Sequence, residues 1–221
     1  MSKHMTKDDV RRLITEVGVV PVVRASNSQQ ALLAAEAVCA GGIPIVEITM
    51  TVPGAIDVIA QLARTVSDTV VLGAGTVLDA DTARKCIAAG AKFIVSPGFD
   101  RETVDLVYRE SRLMMAGALT PTEIMAAWKA GADFVKIFPC GSVGGPKYIR
   151  ALRGPFPQIP FIPTGGVNLE TAADFIRAGV AALGVGGELV QADALKSGNA
   201  AAITESARKF LEAVKRARVG S

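Results

Sequence analysis

Short apolar runs alternate along this chain with longer stretches in which apolar positions recur every three or four residues. The short runs predict strands at 19–24, 44–49, 70–74, 93–96, 112–116, 134–138, 161–164 and 182–185. Each is mostly apolar, as strands covered on both faces of a parallel sheet must be. The longer stretches predict amphipathic helices at 28–40, 53–65, 80–89, 101–110, 121–130, 147–152 and 169–178, with a last helix over about 199–218. Gly41-Gly42, Gly90, Gly131 and Gly179 stand where a helix ends just before a strand, the place for a left-handed residue. No stretch has the Pro, Gly and Ser content of a linker. Eight strand–helix units in about 200 residues predict one closed single-domain (β/α)8 TIM barrel over 7–221. An extra N-terminal helix precedes it, and 1–6 is expected to be a disordered arm. The competing arrangement is an open doubly wound sheet, but no strand leads into a GxGxxG turn.

Composition narrows the function. Of 221 residues, 50% are hydrophobic and 20% charged, the balance of an ordinary soluble enzyme. Net charge is +3, and the basic residues are spread over helices without tracking a groove, so a nucleic-acid partner is not expected. Cys39, Cys86 and Cys140 are odd in number and far apart, which fits a reducing compartment better than a disulfide framework. The apolar runs are too short to cross a membrane, and the N-terminus lacks the apolar core of a signal peptide, so cytoplasm is the expectation. The one histidine, His4, lies in the polar arm. A Ser-His-Asp relay, a Cys-His pair and His-ligated zinc are thereby disfavoured. Acid–base chemistry falls to carboxylates, lysine or water.

In a barrel, chemistry sits at the C-terminal ends of the strands. Lys136, late in the apolar sixth strand, is the one lysine placed there. Lys92 precedes its strand and belongs to the opposite rim. Burying a charged lysine costs several kcal/mol, so it tends to shed its proton and become an amine nucleophile. The plainer alternative is a lysine that snorkels to the rim or pairs with a carboxylate. Glu47 supplies that carboxylate: in Ile45-Val-Glu-Ile-Thr49 the period of two puts Ile45, Glu47 and Thr49 on one face. The pair is either a structural ion pair or a nucleophile with its proton shuttle. Burial lowers the Lys136 pKa and an ionised Glu47 raises it, and the sequence leaves the winner open.

Two glycine turns follow the last two strands, Pro163-Thr-Gly-Gly-Val-Asn168 and Gly184-Val-Gly-Gly-Glu188. Bare backbone N–H groups at this end of a barrel bind phosphate, although glycines also serve tight turns alone. Gly73-Ala-Gly-Thr76 and Ser96-Pro-Gly98 leave room for substrate and add hydroxyls. Arg24 ends the first strand and either clamps an anion or faces water.

Val-Glu-Ile-Thr, Gly-Ala-Gly-Thr-Val-Leu, Val-Ser-Pro-Gly, Thr-Pro-Thr-Glu, Val-Lys-Ile-Phe-Pro and Pro-Thr-Gly-Gly-Val occur in order at the strand ends. Together they resemble the 2-keto-3-deoxy-6-phosphogluconate (KDPG) aldolases, which overlap with the 4-hydroxy-2-oxoglutarate (KHG) aldolases, over about 17–190. The resemblance implies a class I aldolase with Lys136 forming an imine and Glu47 as general acid–base. It places Thr76 and Pro97 at the pyruvyl end and Phe138 beside the imine. It assigns the phosphate to Thr164, Gly165, Gly166, Gly186 and Gly187. It implies a homotrimer, with no metal and no other cofactor.

The chain departs from some members at three places. Thr51 stands where an arginine binds substrate, leaving Arg24 to take over; Gly187 replaces a serine; and Ala116-Gly117 replaces Pro-Gly. The expected substrate is a small keto acid carrying a phosphate, split to pyruvate and glyceraldehyde 3-phosphate. KHG or the galactonate epimer is the second expectation, and a catalytically idle oligomeric scaffold the third.

Overall fold

The computed structural model describes residues 5–219. Residues 1–4, which include His4 and most of the arm expected at 1–6, lie outside them. Met5 packs against the core and Thr6 caps the first helix.

The chain forms a (β/α)8 TIM barrel. Helix α1 (Lys7–Val17) precedes β1 (Val19–Val23), and the alternation then runs α2 (Ser28–Ala40), β2 (Ile45–Thr49), α3 (Ala55–Thr65), β3 (Val71–Gly75), α4 (Ala80–Ala88), β4 (Phe93–Val95), α5 (Arg101–Arg109) and β5 (Leu113–Ala118). It continues through α6 (Pro121–Lys129), β6 (Phe134–Ile137), a 3-10 turn (Gly141–Val143), α7 (Pro146–Arg153), β7 (Phe161–Pro163), α8 (Leu169–Arg177), β8 (Leu183–Val185), α9 (Ala192–Lys196) and α10 (Ala200–Val219). All strand pairs are parallel, in the order β7-β6-β5-β4-β3-β2-β1-β8. A single parallel bridge, Thr164 to Gly184, joins β7 to β8 and closes the ring.

Every strand residue is buried, which is why the strands read as unbroken apolar runs rather than alternating ones. Helix starts follow local chemistry. Asn27, Asp79, Asp100, Thr120 and Asn168 each accept a backbone N–H three residues on, a contact worth about 1 kcal/mol per cap. Helix α1 buries Val10 and Ile14, and its Lys7 pairs at 2.9 Å with Asp133, just before β6.

Several boundaries differ from the pattern-based expectation. Arg24, Ser96, Phe138 and Thr164 each fall one residue beyond their strands. Ala116-Gly117 belongs inside β5, because Gly117 pairs with Lys136 and a side chain there would collide with the Pro97 backbone. Helix α9 is unexpected; at five residues it is too short to show a helical period.

Candidate active site

Lys136 and Glu47 stand on β6 and β2, four places apart in an eight-stranded ring and so on opposite walls. Each nonetheless feels the other's charge. Across a closed barrel only side chains pointing into the lumen can do that, and this fixes the direction of both.

Lys136 is 4% exposed, between Gly117 of β5 and Ile162 of β7. It makes no ion pair or hydrogen bond with the described residues. Its Nζ lies 5.1 Å from the centroid of the Phe138 ring, within the range of a cation–π contact. The lysine therefore neither snorkels out nor sits in a direct salt bridge. Burial pushes its pKa down, Glu47 pulls it back up, and Arg24 lowers it further. Burial is the largest effect, which answers the question left open by the sequence.

Glu47 is 2% exposed, and its Oε1 is buried without a hydrogen-bond partner. Burial raises its pKa, and the charges of Lys136 and Arg24 offset only part of that. Burial thus pushes both members of the pair in the direction of their neutral forms. These are the forms that addition to a carbonyl requires: a nucleophile, and a proton for the oxygen. The room for Glu47 comes from β3, where a Cβ at Gly75 would fall on its carboxyl group.

Arg24 is exposed just past β1 and makes no hydrogen bond or ion pair with the described residues, acting on Glu47 and Lys136 through space. Thr51 lines a cleft with it. The Thr49 hydroxyl donates to Val23 O at 3.0 Å and lies 2.7 Å from the Thr51 hydroxyl. A hydroxyl has one proton, so Thr51 must donate to Thr49 and keeps none for an anion.

Thr76 follows β3 in the left-handed region (φ 57°), which few non-glycine residues adopt. Pro97 and Phe138 are half-buried past β4 and β6. Ser96 is buried and accepts from Gly117 N at 3.3 Å, tying β4 to β5 beside Lys136.

The two glycine turns lie side by side, since Thr164 and Gly184 bridge their strands. Gly165 and Gly166 are left-handed (φ 83° and 77°), and Gly141 N donates to Gly165 O at 2.8 Å. A Cβ at Gly166 would lie 2.7 Å from Gly141 Cα, so this turn is also packed against the segment after β6. Around Gly186 and Gly187 a Cβ would meet nothing within 4 Å. Among the described residues no group of His, Cys, Asp or Glu is arranged to hold a metal, no helix is long and apolar enough to cross a membrane, and all three cysteines are unpaired.

The model of the aldolase family described as KDPG and KHG aldolase matches residues 10–206. The chain belongs to that family. It is 34% identical to the KHG/KDPG aldolase of Escherichia coli K12, an alignment covering 95% of this chain and 98% of the relative. To the 2-dehydro-3-deoxy-phosphogluconate aldolase of Dickeya dadantii it is 36% identical, covering 92% and 95%. Among solved structures, the KDPG aldolase of Legionella pneumophila, captured with pyruvate as a covalent carbinolamine, superimposes with a TM-score of 0.84. That pair is 33% identical over 90% of this chain and 97% of the other.

Gly75 was expected, within Gly73-Ala-Gly-Thr76, to leave room for substrate; the room it leaves is taken by the Glu47 carboxyl group. Two residues of the rim carried no signal in the sequence. Gln30 reads as a first-turn helix residue and Lys196 as a surface lysine, yet both line the Arg24–Thr51 cleft. Nothing local places them there; the packing of α2 and α9 against the barrel mouth does.

Proposed function

We propose that this aldolase cleaves a phosphorylated 2-keto-3-deoxy sugar acid to pyruvate and glyceraldehyde 3-phosphate through an imine on Lys136. The observation that carries the reading is the buried Lys136–Glu47 pair, held apart across the lumen with both groups pushed toward neutrality. The Lys136 amine attacks the C2 carbonyl carbon, and Glu47 protonates the oxygen. Loss of water from the carbinolamine leaves a protonated imine. Glu47, now a carboxylate, takes the C4 hydroxyl proton through water; the C3–C4 bond breaks, and its electron pair moves into the imine to give an enamine. The aldehyde departs, C3 is reprotonated, and water hydrolyses the imine to release pyruvate and the free amine. No redox partner or metal enters this sequence.

Thr76 and Pro97 line the pyruvyl end, Phe138 packs beside the imine, and Thr164, Gly165, Gly166, Gly186 and Gly187 receive the phosphate. The side-by-side turns support that last assignment. Cleavage of unphosphorylated KHG is the second reading, favoured by one observation: Gly187 offers no side-chain donor in the turn after β8. The assembly proposed is a homotrimer, as the resemblance implies, working in the cytoplasm, as the unpaired cysteines suggest.

Treating the protein with pyruvate and borohydride should add one reduced pyruvyl group, mapped to Lys136 by peptide mass. Labelling elsewhere, or none, would overturn the mechanism. Retro-aldol assays on KDPG and KHG side by side separate the two substrates.

A further inference from the structure

Glu47, Gly73 and Phe93 are register partners on β2, β3 and β4. Side chains on register partners leave the same face of a sheet, so Phe93 points into the lumen with Glu47. The two meet over β3. A Cβ at Gly73 would fall on the Phe93 ring, at Cε2, Cζ and Cδ2, and a Cβ at Gly75 would fall on the Glu47 carboxyl group. Gly73 and Gly75 are successive lumen positions of one strand, about 6.6 Å apart. The ring therefore sits one layer below the carboxyl group, at a spacing that seats no water between them.

We propose that Phe93 is a positioning residue for this aldolase. Its ring is the dry floor beneath Glu47 and bars water from the carboxyl group on the side away from the substrate. The inference deepens the aldolase reading above and rests on it.

The surroundings of the carboxyl group support the role. Glu47 Oε1 is buried with no hydrogen-bond partner, so no protein donor takes the place of the excluded water. The layer below is apolar and closed. Ile45 and Val71, register partners one layer beneath Glu47 and Gly73, are fully buried, as are Phe93 and its own partner Leu113. Phe93 is the one aromatic residue among these four, and the bare backbone of Gly73 lets its ring reach across β3 toward β2. The charges that act on Glu47 are those of Lys136 on β6 and Arg24 past β1. Strands β3 and β4 carry no ionisable residue, so from their side burial acts alone.

What the floor controls is the readiness of the acid. A carboxyl group cut off from water keeps its proton to higher pH, the direction in which burial moves Glu47. In the proposed reaction that proton goes to the carbonyl oxygen of the substrate. Water admitted from below would favour the carboxylate and leave fewer molecules able to deliver it.

The test reads Glu47 directly. In pyruvate-free protein the C=O stretch of its protonated carboxyl group is the infrared band absent from Glu47→Gln, and the loss of that band with rising pH gives the ionisation midpoint. Phe93→Ala opens a cavity beside a polar group, and the midpoint should fall by about one unit or more. At a pH above the new midpoint, borohydride trapping of pyruvate should slow about tenfold per unit of that fall. Benzene, which enters apolar cavities of this kind, should reverse both effects. Phe93→Leu keeps the floor filled and should leave the midpoint in place. Phe93→Val removes less than the alanine change and should shift the midpoint the same way by less, which decides the matter where the alanine variant does not fold. An unchanged or raised midpoint in the alanine and valine variants would overturn the proposal. So would an equal fall in Phe93→Leu, which reports a distorted barrel. Pyruvate trapping on the unsubstituted protein reports separately on Lys136, so failure of the imine reading and failure of the floor look different.

Discussion

Gly75 of β3 is the space that Glu47 of β2 occupies: a side chain at Gly75 would begin inside the Glu47 carboxyl group. The two are not register partners, because Glu47 pairs with Gly73 and Thr49 with Gly75. The glutamate leans along the strand over its neighbour's bare backbone. Gly75→Ala should therefore displace the carboxyl group and leave the barrel folded. We expect kcat to fall by roughly 10²-fold, as for partial loss of an acid–base group, with pyruvate still trapped on Lys136. Near-normal kcat in a folded Gly75→Ala protein would mean that the observed Glu47 position is unimportant.

Glu47→Gln keeps the shape and removes proton transfer, so turnover should drop by about 10²–10⁴-fold. It should also stabilise the fold. Glu47 has its folded pKa raised by burial, so its contribution to stability is present below the unfolded carboxylate pKa and is lost as pH rises through the folded value. A neutral amide avoids that loss. At neutral pH the variant should melt about 2–4 °C higher for each kcal/mol recovered. A lower melting temperature across all pH would show that the carboxylate is a net structural partner.

Lys136 responds in the opposite direction. Burial holds its pKa below that of an ordinary lysine, so the rate of pyruvate trapping should rise with pH and level off earlier than a surface lysine would. Arg24 contributes to that depression. Arg24→Gln should therefore shift the midpoint of the trapping profile to higher pH. A midpoint that stayed put or moved down would rule out Arg24 as an electrostatic neighbour of the amine. The linked stability effect has a definite sign too. The unfolded lysine holds its proton to higher pH than the folded one, so the Lys136 contribution improves as pH rises between those two values.

The two glycine turns call for different substitutions. Gly166 has a positive φ and lies against Gly141, so a side chain there tests packing as much as ligand binding. Gly187 has open space around it. Gly187→Asp places a carboxylate at the turn with no steric conflict. KM for KDPG should rise at least tenfold, while KHG cleavage changes much less. Gly187→Ser should do the reverse and tighten the phosphorylated substrate. If Gly187→Asp leaves both substrates untouched, phosphate does not bind at this turn, and KHG becomes the leading substrate.

The eightfold alternation was legible because each parallel strand is buried on both faces and each helix on one. Those two burial patterns write different periods into the sequence, and closure of the barrel follows from repeating them. Lys136 and Glu47 were legible as well, since a charge inside a buried strand is expensive enough to stand out from its neighbours. What lies between elements was not written locally. The space for Glu47 depends on Gly75 of a different strand, the commitment of the Thr51 proton depends on Val23 of β1 through Thr49, and the seat of Gly166 depends on Gly141. Helix α9 is shorter than two helical turns, so no periodicity marks it, and only the packed mouth of the barrel brings Lys196 to Arg24. The sequence by itself determined the strand–helix order and the buried Lys136–Glu47 pair, because burial acts residue by residue. The tertiary structure alone decided that Lys136 and Glu47 face each other, because closure of the ring sets β6 and β2 on opposite walls.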